Sequence, residues 1–129
     1  MLKTGILNPA LNDLLSRIRH TNTLVIADRG FPFWPQIETV DLSLIDNLPT
    51  VLDVLGAIRP NFIFGQAWMA EEFLSHNEPA TIDAFDTALD GIPLTRLPHV
   101  DVKQKVPDAI GLIRSGDTVQ YANMILESA

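Results

Sequence analysis

The sequence predicts a single α/β domain on three observations. Segments with the 3.6-residue spacing of apolar side chains alternate with short, nearly continuous apolar runs, the pattern of helices interleaved with buried strands. A length of 129 residues, 47% of them hydrophobic, suffices for one core and is too short for two ordinary domains. No internal repeat, low-complexity tract or linker divides residues 1–129.

The first helix opens at Asn8-Pro9, a capping residue followed by proline at the first helical position, with Leu11, Leu14, Leu15 and Ile18 on one face. Arg17, Arg19 and His20 are expected in its last turn, where cations complement the negative end of the helix dipole. Thr23 to Ala27 reads as a strand buried on both faces. Asp28-Arg29-Gly30-Phe31-Pro32 begins a shaped loop reaching Pro35. Val40 to Ile45 is expected as a strand, and Pro49 to Arg59 as a helix stopped by Pro60. Phe62 to Met69 favours a strand, although the Ala-Glu-Glu that follows can also begin a helix. Ile82, Phe85 and Leu89 mark a helix closing near Gly91, Ile92 to Leu97 a short strand, and His99 to Val106 a short helix. Ala109 to Arg114 and Gln120 to Glu127 read as two strands joined by a turn, with Gly111 weakening the first.

Composition removes several functions. Nine Lys and Arg against sixteen Asp and Glu leave a charge of −7, which repels nucleic-acid phosphates and anionic membrane surfaces. No apolar run approaches the ~18 residues of a membrane span, and the N-terminal Met-Leu-Lys-Thr-Gly lacks a signal-peptide core, so a cytoplasmic protein is expected. Zero cysteines exclude disulfides, thiol nucleophiles and thiolate metal sites. The glycines form neither GxGxxG nor a Walker pattern, and His20, His76 and His99 lack metal-helix spacing. The 19% charged fraction lies below the usual ~25%, as expected where subunits cover surface.

Few polar residues remain as candidates. Asp28 ends a strand, where sites in α/β sheets gather, and an Asx-turn explains it equally simply. His20 is either a helix-end cation or an acid–base group, and His99, four residues before Lys103, either caps a helix or serves a site. His76 reads as an exposed loop residue. Period-two geometry puts Tyr121 and Asn123 on one strand face and Ala122 on the other: a phenol and an amide suited to a polyhydroxylated ligand, or an edge pair meeting solvent.

The order of these blocks is more specific than any one of them. Lys3-Thr4-Gly5-Ile6-Leu7-Asn8, Arg19 to Pro32, Asp41-Leu42-Ser43-Leu44, Ile113 to Asp117 and Tyr121-Ala122-Asn123-Met124-Ile125-Leu126 together resemble the ribose pyranase and fucose mutarotase family, closer to its ribose branch. The resemblance implies a three-layer α/β/α domain over residues 1–129 with a mixed sheet, assembled as a ring-shaped homo-oligomer, typically a decamer of two pentamers. It implies a cofactor-free isomerase that interconverts cyclic forms of a free monosaccharide, D-ribose first. It carries the catalytic histidine onto His20 and substrate-binding positions onto Asp28, His99, Lys103, Tyr121, Ala122 and Asn123. Mutarotation of fucose or another sugar is the alternative within the class, and a non-catalytic sugar-binding or transport-accessory protein the alternative outside it. Where relatives usually carry Gly-His-Thr-Asp and Asp-Ala-Gly, this chain has Arg19, Asn22 and Arg29. Two cations there suit a sugar bearing a carboxylate or phosphate, or an ion pair to a neighbour. Relatives also continue a few apolar residues past the Leu-Glu-Ser-Ala at which this sequence stops, so contacts of that tail are expected to be missing or replaced.

Geometry adds a constraint. Residues 21–28 in extended conformation, at about 3.3 Å each, hold His20 and Asp28 about 20 Å or more apart, several widths of a pentose. One chain is therefore not expected to bring both to one sugar, and a pocket completed by a neighbouring subunit is.

Overall fold

The computed structural model describes residues 1–129, with a six-stranded sheet in the order β2-β5-β1-β6-β3-β4. The strands are β1 (Thr23–Ala27), β2 (Glu38–Asp41), β3 (Phe64–Ala70), β4 (Leu94–Leu97), β5 (Gly111–Arg114) and β6 (Met124–Ser128). β6 alone is antiparallel, pairing with β1 and β3 on its two sides. The other strands share one direction, and their carboxyl ends gather at one edge of the sheet together with the start of β6.

Helices cover both faces unequally. On one face Leu24, Ile26, Met124 and Leu126 pack with α1 (Pro9–Ser16), α2 (Val51–Ile58), α3 (Glu72–His76) and α4 (Pro79–Ala88) through Leu14, Leu55, Phe73 and Phe85. On the other, Val25, Leu112 and Ile125 meet only α5 (His99–Lys105), through Val102, and Val106 just beyond it. Alternate residues of β1 therefore serve different cores, which is why its sequence is apolar throughout. This is the expected three-layer α/β/α domain with a mixed sheet.

Local chemistry fixes the helix starts. Asn8 accepts the Leu11 N–H at 2.9 Å ahead of Pro9, and Thr50 and Asp53 close a reciprocal capping box on α2. Gly111 is required by packing: a Cβ there would meet the side chain of Leu14, so the residue that weakens the strand by composition lets α1 approach β5.

Four boundaries differ from expectation. α1 ends at Ser16, with Arg17 as its C-cap, so Arg19 and His20 lie beyond the helix. β2 occupies Glu38–Asp41 rather than 40–45, because its register is set by parallel pairing with β5. α3 is a separate helix after β3. The last two strands are not neighbours: β1 lies between β5 and β6, so residues 115–123 form a crossing connection rather than a hairpin turn. That connection is buried where it passes the sheet edge. Ser115 donates to Ala27 O at 2.7 Å, and the Asp117 carboxylate accepts the N–H groups of Val51 and Val119 at 2.9 and 2.8 Å.

Candidate functional site

At the carboxyl edge, Asp28 and Asn123 form a reciprocal pair across 95 residues of sequence. Asn123 Oδ1 accepts the Asp28 backbone N–H at 2.7 Å, while Asn123 Nδ2 donates to Asp28 Oδ2 at 3.1 Å. Asp28 Oδ1 accepts the Gly30 N–H at 2.9 Å, so the Asx-turn is present and coexists with a site position. Arg114, at the end of β5, donates to the carbonyls of Asp28, Arg29 and Pro32 at 3.3–3.4 Å and holds this loop onto the sheet. Burial raises the Asp28 carboxyl above its ordinary range. The Gly30 N–H, the Asn123 amide and the Phe31 N–H oppose that shift, and the Asp117 charge adds to it. A carboxyl so placed holds and releases a proton nearer neutrality than an exposed one.

Facing Asp28 is an aromatic wall. The Tyr121 ring meets His99 edge-on at 5.1 Å, and His99 in turn meets Phe31 at 6.4 Å. Asp28, Gly30, Phe31, Pro32, His99, Gln120, Tyr121 and Asn123 enclose an open cleft of about 300 Å³. A second cleft of about 650 Å³ adjoins it through His99 and is lined by Trp34, Glu72, Val100, Lys103, Gln104 and Pro107. Glu72 takes the His99 backbone N–H on both carboxylate oxygens, at 3.0 and 3.1 Å, and so fixes the start of α5. The His99 Nδ1 and Trp34 Nε1 atoms are buried without hydrogen-bond partners, an uncommon condition in a folded chain.

The structure thus brings together Asp28, His99, Tyr121 and Asn123, and sets Lys103 in the adjoining cleft. Ala122 is completely buried, backbone included, and lines neither cleft. The face-sharing of Tyr121 and Asn123 does not come from strand alternation. β6 begins at Met124, and Tyr121 adopts a left-handed φ of 57° in the segment before it. Glu72 and His76 were missed by sequence reasoning. His76 is exposed as expected, yet it ends α3 and its ring lies 4.9 Å from that of Tyr121. A carboxylate following an apolar strand was the available signal for Glu72; nothing local marked His76.

His20 stands apart. It lies exposed before β1, at the sheet edge opposite Asp28, where Thr21 N–H donates to Ser128 O at 2.9 Å. The two cations flanking the motif are engaged elsewhere. Arg19 donates to Ser16 O and Ile18 O at the end of α1, at 2.5 and 3.2 Å, and Arg29 forms a two-oxygen ion pair with Asp46 at 2.6 and 2.7 Å. Neither residue lines either cleft. No three His, Asp or Glu side chains converge in a group able to hold a metal ion.

Comparison with known proteins places these features in context. The RbsD / FucU transport protein family matches the chain over residues 1–129. D-ribose pyranase of Laribacter hongkongensis is 39% identical over 128 residues, covering 99% of this chain and 97% of the relative. The Geobacillus kaustophilus D-ribose pyranase is 38% identical, covering 99% and 93%. The structure of Bacillus subtilis RbsD complexed with D-ribose superposes with a TM-score of 0.92 at 30% identity, covering 100% of this chain and 98% of that one. A fucose mutarotase from Streptococcus pneumoniae in complex with L-fucose shares the fold at a TM-score of 0.80 and 18% identity, covering 98% and 94%.

Proposed function

Because the chain belongs to the RbsD / FucU transport protein family, we propose that it is a D-ribose pyranase, an isomerase interconverting pyranose and furanose forms of the free sugar. The observation that carries this reading is the convergence of Asp28, His99, Tyr121 and Asn123 on one polar cleft, in a chain alike over its whole length to proteins named D-ribose pyranase. That neither Arg19 nor Arg29 lines the clefts favours an uncharged substrate.

Opening a pyranose breaks the hemiacetal C1–O5 bond. A base removes the proton from the anomeric hydroxyl while an acid delivers one to O5. Rotation of the open aldehyde and closure through O4 repeat the exchange in reverse, so the reaction is proton-neutral. Imidazole supplies both acid and base near neutrality, and His20 takes that role. Asp28 accepts hydrogen bonds from ring hydroxyls and, with its raised pKa, relays the second proton. His99, Tyr121 and Asn123 orient the ring, and Lys103 donates from the adjoining cleft.

The strand β1 separates His20 from Asp28, its five residues alone spanning about 16 Å. His20 therefore acts in the cleft of a neighbouring copy, and the working unit is a homo-oligomer, a decamer of two pentameric rings in the cytoplasm. Supporting this assembly, Phe33, Leu44, Ile45 and Ile63 are each 65% exposed or more, apolar surface that a lone chain leaves in water. Saturation-transfer NMR on equilibrated D-ribose tests the activity. Wild type accelerates pyranose–furanose exchange and His20→Ala does not. Binding without acceleration for ribose and for fucose would instead identify a sugar-binding protein, and a response to fucose alone would move the substrate.

A further inference from the structure

We propose that His76 is a positioning residue for Tyr121: with Asn77 it fixes the tyrosine from behind the cleft and so sets how tightly the sugar is held. The inference rests on the sugar-binding reading of that cleft.

Tyr121 lies between two imidazoles. His99 meets it from the cleft side at 5.1 Å, and His76 packs on it at 4.9 Å with the planes tilted by 57°. The His76 ring is itself anchored. Its Nδ1 lies 2.8 Å from Glu72 O and 3.0 Å from Ser75 Oγ. A carbonyl only accepts, so Nδ1 carries a proton and the ring is tied to the first turn of its own helix. Asn77, the next residue, holds the backbone: its Nδ2 donates to Gln120 O and to Phe73 O, both at 2.9 Å. That clamp acts on the residue immediately before Tyr121, whose φ of 57° is a conformation that non-glycine residues keep only when their surroundings enforce it.

The helix bearing these groups is fixed to the core by Phe73, fully buried against Phe85 at 4.8 Å. The same short helix presents Glu72 to the His99 backbone. α3 thus reaches both walls of the cleft from outside it, and His76 is its contact with the tyrosine. Loss of the imidazole frees the phenol ring to sample other rotamers, and the sugar must then order it on binding. The consequence falls on affinity, because Tyr121 orients the ring while His20 and Asp28 move the protons.

Tyr121 is the only tyrosine, so ring-13C-labelled tyrosine reports on this position alone. Full-length, assembled wild type, His76→Ala and His76→Phe are compared by the concentration dependence of D-ribose exchange and by the sugar-free tyrosine spectrum. His76→Ala is expected to raise KM about five- to tenfold, the value of one aromatic pair, with kcat within about twofold and with the Tyr121 signal shifted and broadened. His76→Phe is expected to restore both KM and a narrow signal. Unchanged KM and spectrum in His76→Ala would overturn the proposal, as would a fall in kcat at constant KM or a phenylalanine variant that behaves like alanine. Failure of wild type to accelerate exchange counts against the isomerase reading, while the sugar-free spectra still decide whether His76 positions Tyr121.

Discussion

The two ends of the sheet differ in what closes them. At the end bearing His20 the chain is sealed by main-chain bonds: Thr21 N–H to Ser128 O, Ser128 N–H to Asn22 O and Ala129 N–H to Ile63 O. At the end bearing Asp28 main-chain bonds such as Arg29 N–H to Asp117 O and Ser115 N–H to Ala27 O are joined by an added layer of side-chain bonds. Asn123 serves both the backbone and the carboxylate of Asp28, Arg114 serves three loop carbonyls, Asp117 serves two N–H groups, and Glu72 serves His99. Backbone closure leaves side chains free to point away from the domain. Side-chain closure builds a concave, polar surface whose groups are already oriented. One end therefore carries a pre-built polar cleft, and the other leaves His20 exposed, as the proposed sharing of a site between copies requires.

Breaking that division directly carries the largest expected effect. His20→Ala and Asp28→Asn should each lower the exchange rate by about 10²–10⁴-fold. If the two ends meet across subunits, an equal mixture of these two inactive variants, dissociated and reassembled, should recover about a quarter of the wild-type sites. Exchange NMR on the mixture reads this, and no recovery from fully reassembled protein would show that one chain supplies both groups.

The junction beneath the site should be the next most sensitive. A Cβ on Gly116 would run into Ile45 O, with Leu48 backbone atoms at 3.2 Å, so Gly116→Ala should cost about 2–3 kcal/mol in urea unfolding. An unfolding midpoint equal to wild type would mean that the 45–49 segment yields easily, and that the carboxyl end is softer than its hydrogen bonds imply.

The raised pKa of Asp28 gives a smaller, pH-dependent effect. Ionising Asp28 is less favourable folded than unfolded, so wild type gives up stability as pH rises through the carboxylate range and gives up none where both states stay protonated. The Tm of Asp28→Asn relative to wild type should therefore improve as pH rises through and above the ordinary carboxylate range. A difference independent of pH would place the carboxyl in an unshifted, water-like setting.

The smallest effect is expected at Arg29. Its ion pair with Asp46 joins two side chains that are each more than half exposed, so Arg29→Ala should change stability by less than about 1 kcal/mol. It should leave the response to neutral and to anionic sugars unchanged. Newly favoured or newly rejected anionic sugars in exchange assays would show that Arg29 faces the ligand after all.

Much of this was legible because it is local. The Asn8-Pro9 cap, the Thr50 box and the unbroken apolar run of β1 each declare their element within a few residues. Asp28 reads as a turn residue at a strand end, and the ordered blocks from Lys3 to Leu126 resemble one family by sequence alone. The pairing of Tyr121 with Asn123 was anticipated for the wrong reason. Alternation along a strand was assumed, whereas a left-handed residue ahead of β6 does the work. Ser115 to Thr118 reads as a turn between two strands, whereas β1 is inserted between those strands in the sheet.

By itself, then, the sequence determined the α/β class, the single domain, the helix caps and the identities of the polar groups, since these depend on composition and short-range periodicity. Only the tertiary structure decided which of those groups meet. Asn123 reaches Asp28, Glu72 reaches His99 and His76 reaches Tyr121 because strand order and register bring distant segments to one edge, and pairing energies between strands have no local signature. The structure also decided that Arg19 and Arg29 are occupied, because a guanidinium's partner is set by whichever carbonyl or carboxylate the fold brings within reach.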